Sequence, residues 1–234
     1  MSSSQDNLQS LYGDDYYRNR NFCDSSILPY VRKGKLFNLT WGSRVTGVDL
    51  RQGKGKRALD AGCGTGLNSI ILHELGYDVT GADFSGFAVQ NAAQEAEQAG
   101  IKIPFKQLDI DNDPIPGPYD LILCCEVIEH VRNPAAVIQK LYDALSPGGI
   151  LILTTPNRLG LSHLLLDHDK THINVHSPFY WNALLKRLPG VRSVCQPIMV
   201  WDQLFPFLKK STRTWWSRLP ILGFRLRLMA MKLP

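Results

Sequence analysis

The stretch LDAGCGTGLN, residues 59–68, constrains the fold more than any other part of the chain. It stands between an apolar segment typical of a buried strand and a segment typical of a helix. Gly62, Gly64 and Gly66 allow the backbone to turn sharply and to approach a ligand without clashes from Cβ atoms. The helix that follows offers free N–H groups to an anion. A purely structural glycine turn is the alternative interpretation of this stretch.

Strand-like and helix-like segments alternate from about residue 56, which predicts βαβ units and a parallel sheet. Residues 1–55 show no clear strand, and we expect a helical or irregular cover there. The predicted strands are KRALDAG, YDVTGAD, IPFKQLD, YDLILCC, ILILTTPN, VRSVCQPIMV and FRLRLMAMK, the last with a polar face formed by Arg225 and Arg227. The predicted helices are LNSIILHELG, SGFAVQNAAQEAEQAG, NPAAVIQKLYDALSPGG and the segment from Ser177 to Arg187.

The composition is that of an ordinary globular protein, with 44% hydrophobic and 20% charged residues. An odd number of cysteines, five, without a CxxC pair favours a reducing compartment. The polar start, MSSSQDNLQS, does not resemble a signal peptide, and no apolar run approaches the length of a membrane span. We therefore expect a cytoplasmic protein.

Positive charge is concentrated near the C-terminus. From Trp201 onward there are seven bases and one acid, so this segment carries +6, whereas the whole chain carries +5. Residues 201–222 combine four of these bases with five bulky aromatic side chains. Four interpretations stay open: a lid over an apolar acceptor, a peripheral contact with an anionic membrane, a contact with nucleic acid, or core aromatics with a solvated basic face. No nucleic-acid-binding motif is present, so we expect no nucleic-acid partner.

Two acids follow predicted strands on the side where parallel sheets bind their ligands. Asp83 lies 19 positions after Gly64, close to the spacing at which a carboxylate binds ribose hydroxyls. Asp109 is expected at the end of the third strand. Leu67 stands where a dinucleotide fingerprint has its third glycine, which argues against a bound pyrophosphate and a dinucleotide-dependent oxidoreductase. A nucleoside with a small zwitterion, as in S-adenosylmethionine, suits the pattern better.

The segments LDAGCGTG, GADFS, QLDIDND, YDLILCCEVIEHV and LSPGGILILTTPN resemble, in this order, the motifs of class I S-adenosylmethionine-dependent methyltransferases. The resemblance implies an α/β fold: a doubly wound, seven-stranded, Rossmann-like sheet with helices on both faces and an antiparallel last strand. It implies a single methyltransferase domain over residues 1–234. Within it, 1–55 would be an N-terminal cover, 56–157 the cofactor-binding core, and 158–234 the substrate-side region with the last strands.

The same resemblance implies which residues bind S-adenosylmethionine. The glycine turn would lie against the methionine part, with Asp60 orienting its amino group. Asp83 would hold the ribose, and Asp109 with Ile110 would lie near the adenine. The implied cofactor-binding residues are Asp60, Gly62, Cys63, Gly64, Thr65, Gly66, Asp83, Phe84, Asp109, Ile110 and Cys125.

The stretch CCEVIEHVRNP, residues 124–134, carries the spacing E-x-x-E-H. If a helix begins here, Glu126, Glu129 and His130 share one face and can converge on a divalent cation. A later histidine, His168, His172 or His176, could complete the site. Two other interpretations are open, because acids at a helix start also interact favourably with the helix dipole and because these groups could act without a metal in proton transfer.

A narrower resemblance favours the metal interpretation. CCEVIEHVRNP, TTPNRLG and KTHINVHSP are similar to segments of ubiquinone-biosynthesis O-methyltransferases, which methylate catechol-type polyphenols. The similarity implies a small phenolic acceptor, catalytic roles for Glu129, His130 and His172, and a divalent cation, Mg²⁺ or Zn²⁺, bound by these three and Glu126. N- or C-methylation of a natural product, or a non-enzymatic partner protein with this fold, are the alternatives.

Overall fold

A computed structural model describes residues 28–160, 169, 171–198 and 225–234, with side chains from residue 32 onward. Three helices and three strands come first: α1 (Leu28–Thr46), β1 (Arg57–Ala61), α2 (Leu67–Glu74), β2 (Asp78–Asp83), α3 (Gly86–Gln98) and β3 (Phe105–Gln107). They are followed by β4 (Tyr119–Cys125), α4 (Pro134–Asp143), β5 (Leu145–Pro156), α5 (Pro178–Leu185), β6 (Val191–Ile198) and β7 (Arg225–Lys232).

The strands form one seven-stranded sheet in the order β3-β2-β1-β4-β5-β7-β6. β1 pairs in parallel with both β2 and β4, and β2 pairs in parallel with β3. β7 runs antiparallel to β5 and β6. The predicted α/β class, the seven-stranded sheet and the antiparallel last strand are therefore confirmed.

The chain divides into two compact units. The first runs to Pro114 and includes Leu121–Leu123 of β4, and the second comprises Ile115–Asp120 and Cys124–Pro234. The single domain expected from the sequence stays a prediction.

In the first unit, local signals set the ends of the helices. The Ser85 hydroxyl caps α3 by accepting a hydrogen bond from the Ala88 amide at 3.3 Å. Gly100, with φ of 70°, follows the helix in the left-handed conformation that glycine adopts most easily. The third strand is shorter than predicted: β3 ends at Gln107, because the chain then enters a turn in which the Asp113 amide donates to the Asp109 carbonyl at 2.7 Å.

In the second unit, two caps define the helices. The Asn133 side chain accepts from the Ala136 amide at 3.1 Å, with Pro134 in the first turn of α4. The predicted cap at Ser177 is confirmed, since its hydroxyl accepts from the Tyr180 amide at 3.3 Å. α5 ends at Leu185 rather than Arg187. β5 begins at Leu145, five residues before the predicted start at Ile150, because α4 ends early and the chain becomes extended at once.

The predicted polar face of the last strand is wrong for Arg227. β7 has hydrogen-bonded strands on both sides, and residues 226–230 are all buried. Arg227 is only 5% exposed, whereas the Arg225 side chain is 60% exposed. The alternation of basic and apolar residues was typical of a half-solvated strand, but the position of β7 inside the sheet overrides it.

Several predictions fall on residues outside the described ranges. They concern residues 1–27 of the expected cover, His168, and the basic aromatic segment 201–222. Within the described part of the chain, no helix combines the length and the hydrophobicity needed to span a membrane.

Candidate active site

The glycine turn of the first unit joins β1 to α2. Gly62, Gly64 and Gly66 all have positive φ, at 74°, 52° and 81°. The amides of Gly62 and Cys63 donate to the Ala82 carbonyl at 2.7 and 2.9 Å, which ties the turn to the end of β2. A Cβ atom on Gly64 would have no neighbour within 4 Å, so the turn has open space beside this residue.

Asp83 contacts this turn directly. One carboxylate oxygen accepts from the Gly64 amide at 2.9 Å, and the other accepts from the Ser85 amide at 3.0 Å. The side chain is buried, and burial raises the pKa of Asp83 against the opposing effect of these backbone donors. The structure therefore brings together the glycine turn and the acid that the spacing predicted to act with it.

Asp60 lies beneath the same turn at the end of β1. It is 1% exposed and accepts from the Ser69 hydroxyl at 2.7 Å and from the Asn68 amide group at 3.4 Å. Burial raises the pKa of its carboxyl above the ordinary value. Its side chain is thus tied to the first turn of α2.

The structure says less about the remaining candidates for cofactor binding. Both oxygens of Asp109 are held within its own turn, by the Asp111 amide at 2.9 Å and the Asn112 side chain at 2.7 Å. Ile110 is buried. Other candidates in the first unit are the buried Cys63 and the half-buried Thr65 and Phe84, whereas Cys125, the last residue of β4, belongs to the second unit. Cofactor contacts for these residues stay predictions.

The second unit brings together Glu129, His130 and His172. Their potential ligand atoms all lie within 4.8 Å of one another. The E-x-x-E-H residues do not lie on a helix, so that condition of the prediction is not met. Residues 126–132 form bends and turns, and α4 begins only at Pro134. The His130 amide donates instead to the Val127 carbonyl at 2.9 Å. The three groups meet because a turn, and not a helix face, places them together.

Glu126 is not one of the three residues whose ligand atoms converge. Its Oε2 atom is 3.2 Å from Nε of Arg225, at the start of β7. Its backbone has φ of 58°, in the left-handed region, which costs a non-glycine residue roughly 1–2 kcal/mol. The Glu126 amide donates to the Thr154 carbonyl at 2.8 Å, which holds the turn against β5.

Glu129 is fully buried, and neither carboxylate oxygen has a hydrogen-bond partner among the described residues. Burial, followed by the charge of Glu126, raises the pKa of Glu129 well above its ordinary value. The Thr155 hydroxyl lowers the pKa of Glu129, although it forms no hydrogen bond with the carboxylate. A buried carboxylate without a donor is costly, and a bound cation would compensate that cost.

The two histidines present nitrogen atoms to the same place. The ring centroids of His130 and His172 are 4.8 Å apart, and Nε2 of His130 is 3.9 Å from Glu129 Oε1. Nε2 of His172 is 3.7 Å from Asp169 Oδ2. Burial lowers the pKa of His130 to about 4, so the ring is neutral near pH 7. Two imidazoles and one carboxylate form a donor set that suits Zn²⁺ and related divalent cations.

His176 does not join the group. Its Nε2 atom lies 3.3 Å from Asn174 Oδ1, and its ring stacks on Tyr180 with centroids 3.9 Å apart. Of the later histidines within the described ranges, His172 is therefore the one that meets Glu129 and His130, as its KTH context implied.

Comparison with known proteins now decides the family. A family model described as a methyltransferase domain matches residues 37–188, which is more than half of the chain. The chain belongs to this methyltransferase family. The expected membership of the class I S-adenosylmethionine-dependent methyltransferases is thereby confirmed.

Curated relatives of this methyltransferase include ubiquinone biosynthesis O-methyltransferases. That of Pseudomonas aeruginosa (strain UCBPP-PA14) is 35% identical over 118 residues, which cover 49% of this chain and 51% of the relative. That of Idiomarina loihiensis is 37% identical over 113 residues, which cover 47% and 46%. The chain thus spans about half the length of the curated relatives it matches.

Solved structures agree on the fold. The magnesium protoporphyrin IX methyltransferase of Synechocystis PCC 6803 with bound SAH has a TM-score of 0.64 at 22% identity, covering 99% of this chain and 95% of that one. The plantazolicin methyltransferase BpumL has a TM-score of 0.64 at 20% identity, covering 97% and 94%.

Two residues of this methyltransferase that contact the segment with the E-x-x-E-H spacing were not identified from the sequence. Arg225 lies 99 positions after Glu126, and no local pattern links them. Asn174 donates from its amide to the Glu129 carbonyl at 2.9 Å and from its side chain to the Val131 carbonyl. Its place in KTHINVH, two residues after His172, was the signal that could have found it.

Proposed function

We propose that this methyltransferase transfers the methyl group of S-adenosylmethionine to a hydroxyl of a small phenolic acceptor. A divalent cation held by Glu129, His130 and His172 would assist the reaction. The observation that carries this assignment is the fully buried Glu129 carboxylate, which has no hydrogen-bond donor among the described residues and faces two imidazoles. The names of the curated relatives, which are O-methyltransferases, support it.

In the first unit, the residues fit the donor molecule. The open space beside Gly64 lets a ligand approach the backbone. Asp83, already held by the Gly64 and Ser85 amides, would bind the ribose hydroxyls. S-adenosylmethionine supplies a methyl group on a sulfonium that carries its own leaving group, so the protein mainly has to align donor and acceptor.

In the second unit, the residues fit a divalent cation. A phenol has a pKa of about 10 and is a poor nucleophile until it loses its proton. A bound divalent cation supplies Lewis acidity, which favours the ionised form of a nearby hydroxyl. Glu129 would contribute a negative charge and His130 and His172 neutral nitrogens. His130 could also accept the acceptor's proton, since its neutral ring has an unprotonated nitrogen.

Donor binding is tested by calorimetry with S-adenosylmethionine and, separately, with NAD. We expect binding of the first and not of the second. Asp83→Ala should weaken S-adenosylmethionine binding at least tenfold, about 1.4 kcal/mol. Asp78→Ala removes an exposed acid at the other end of β2 and is the matched control. A wild-type protein that does not bind S-adenosylmethionine would refute the assignment.

Cation dependence is tested by turnover on a catechol. Stripping the protein with a chelator should abolish methyl transfer, and Mg²⁺ or Zn²⁺ should restore it. His172→Gln should prevent the restoration, whereas His73→Gln, which alters an exposed histidine of α2, should not. Full activity after stripping, or in His172→Gln, would rule out the cation site while leaving the methyltransferase assignment intact.

The acceptor class is tested by a screen of phenols, amines and carbon acids, scored by methyl transfer. The site of methylation is read by nuclear magnetic resonance of the product. We expect O-methylation of acceptors with two adjacent hydroxyls, because both oxygens can reach one cation. Transfer only to amines or to carbon would favour the N- or C-methyltransferase alternative.

A further inference from the structure

Glu126, the first carboxylate of the E-x-x-E-H spacing, forms an ion pair with Arg225 and is not among the converging residues Glu129, His130 and His172. Glu126 Oε2 is bound to Arg225 at 3.2 Å, and its Oε1 atom is buried without a hydrogen-bond partner among the described residues. Glu126 lies three positions before Glu129 and four before His130 in one segment of turns, and its charge raises the pKa of both groups. One oxygen is thus committed to the arginine, and the other has no described donor.

We propose that Arg225 controls the cation site by holding the Glu126 carboxylate away from Glu129, His130 and His172, and that Glu126 exchanges Arg225 for the cation when one binds. This inference rests on the cation site proposed above. The resemblance already implied Glu126 as a ligand; what is new is that this ligand is switchable and that a residue on β7 sets how tightly the site binds.

The exchange needs only a side-chain movement. The Glu126 backbone is anchored by the hydrogen bond of its amide to the Thr154 carbonyl at 2.8 Å, and its left-handed φ is set by the turn. The carboxylate can therefore rotate while the backbone stays in place. The backbone of Arg225 is held in the sheet, because its Cα pairs with that of Pro156 across β5 and β7.

The ion pair is weak enough to be given up. The Arg225 side chain is 60% exposed, and a pair with such an exposed partner is largely screened by water. When Glu126 leaves, solvent takes over the guanidinium. A cation among Glu129 and two imidazoles would attract the carboxylate more strongly, because Glu129 is fully buried and the side chains of His130 and His172 are only 14% and 16% exposed.

Through-space repulsion by Arg225 is a simpler explanation of the same effect. The positive charge of Arg225 would oppose cation binding through space even if Glu126 never moved. In that case the effect of removing Arg225 would be the same with and without the Glu126 carboxylate. If Arg225 acts by holding Glu126, its removal has no effect once that carboxylate is absent, and a double-mutant cycle measures the difference.

The test is titration of metal-stripped, tag-free protein with Zn²⁺ by calorimetry, in wild type, Arg225→Gln, Glu126→Gln and the double variant. We expect roughly tenfold tighter binding in Arg225→Gln and roughly tenfold weaker binding in Glu126→Gln. The double variant should bind like Glu126→Gln. Arg192→Gln, an exposed arginine at the far end of the neighbouring β6, should bind like wild type.

Two results would overturn the inference. One is an unchanged Zn²⁺ affinity in Arg225→Gln that folds normally by circular dichroism. The other is a double variant that gains the full tenfold over Glu126→Gln, which would leave only through-space repulsion. Absence of Zn²⁺ binding in every folded variant is a distinct result, because it would refute the cation site itself and the control by Arg225 with it.

Discussion

The Nδ1 atom of His130 lies 3.1 Å from the carbonyl oxygen of Thr171. A carbonyl oxygen only accepts hydrogen bonds, so in the neutral ring the proton is on Nδ1 and the lone pair is on Nε2. Nε2 is the nitrogen that faces Glu129. Because Thr171 immediately precedes His172, one contact orients the His130 ring and links it to the segment that carries the second imidazole.

The burial of the His130 ring leads to a prediction about stability and pH. Burial lowers the pKa of His130 from 6.5 to about 4, so the unfolded state binds this proton more readily than the folded state does. The resulting stability is fully present above pH 6.5 and is lost as the pH falls towards 4. We expect the loss to reach about 3 kcal/mol, measured by urea denaturation across this range.

The matching variant is His130→Gln, which should lack this part of the pH dependence. His73→Gln, an exposed histidine of α2, controls for the loss of one histidine. Parallel stability curves for wild type and His130→Gln between pH 6.5 and 4 would contradict the prediction.

A second prediction concerns the left-handed backbone at Glu126. Glu126→Gly and Glu126→Ala both remove the ion pair with Arg225, so the difference between them isolates the backbone. Glycine adopts a φ of 58° without a Cβ clash, whereas alanine does not. We expect Glu126→Gly to be more stable than Glu126→Ala by about 1 kcal/mol in urea denaturation. Equal stability of the two variants would show that the turn does not impose this conformation.

A third prediction compares two glycines of the same turn. A Cβ on Gly66 would meet the Ala92 Cβ at 3.0 Å and Phe105 Cζ at 3.2 Å, whereas one on Gly64 would meet nothing within 4 Å. Both residues have positive φ, so both alanine variants incur the backbone cost. Gly66→Ala adds overpacking of about 1–3 kcal/mol and should be the less stable, as measured by thermal unfolding.

The two variants should also differ in donor binding. For each kcal/mol of stability lost, Gly64→Ala should weaken S-adenosylmethionine binding more than Gly66→Ala does. A methyl on Gly64 enters the open space beside the turn, so Gly64→Ala should weaken S-adenosylmethionine binding while the protein stays folded. Unchanged affinity in Gly64→Ala would show that the donor does not approach this residue.

A fourth prediction is that the Asp60 carboxylate lowers the stability of the protein but strengthens donor binding. Burial raises the pKa of this carboxyl, so its ionised form is unfavourable in the folded state at pH 7. Asp60→Asn keeps an acceptor for the Ser69 hydroxyl and removes the charge. We expect a higher melting temperature, by a few degrees per kcal/mol gained, and about tenfold weaker S-adenosylmethionine binding.

The gain should depend on pH in a defined direction. A raised folded-state pKa destabilises the protein above the ordinary value of 3.8, so the advantage of Asp60→Asn should grow with rising pH and disappear below that value. Asp78→Asn, on the exposed end of β2, is the control and should show no such gain. A lower melting temperature for Asp60→Asn at pH 7 would contradict the argument.

The sequence by itself determined the fold class, the succession along the chain of the strands and of the helices from α2 onward, and the meeting of the glycine turn with Asp83. These features depend on residues a few positions apart or on strands that are consecutive in the chain. The Ser85 and Ser177 caps satisfy amides three positions on. The Gly64 contact with Asp83 follows from two consecutive parallel strands that end at the same edge.

Only the tertiary structure decided how the E-x-x-E-H residues are used. It placed Glu129 and His130 on a turn instead of a helix, and it assigned Glu126 to Arg225 through a left-handed backbone and the pairing of β5 with β7. It also buried Arg227, which the alternation had placed in solvent. Such contacts join residues far apart in the chain, and they depend on strand pairing and on single backbone angles that no local pattern encodes.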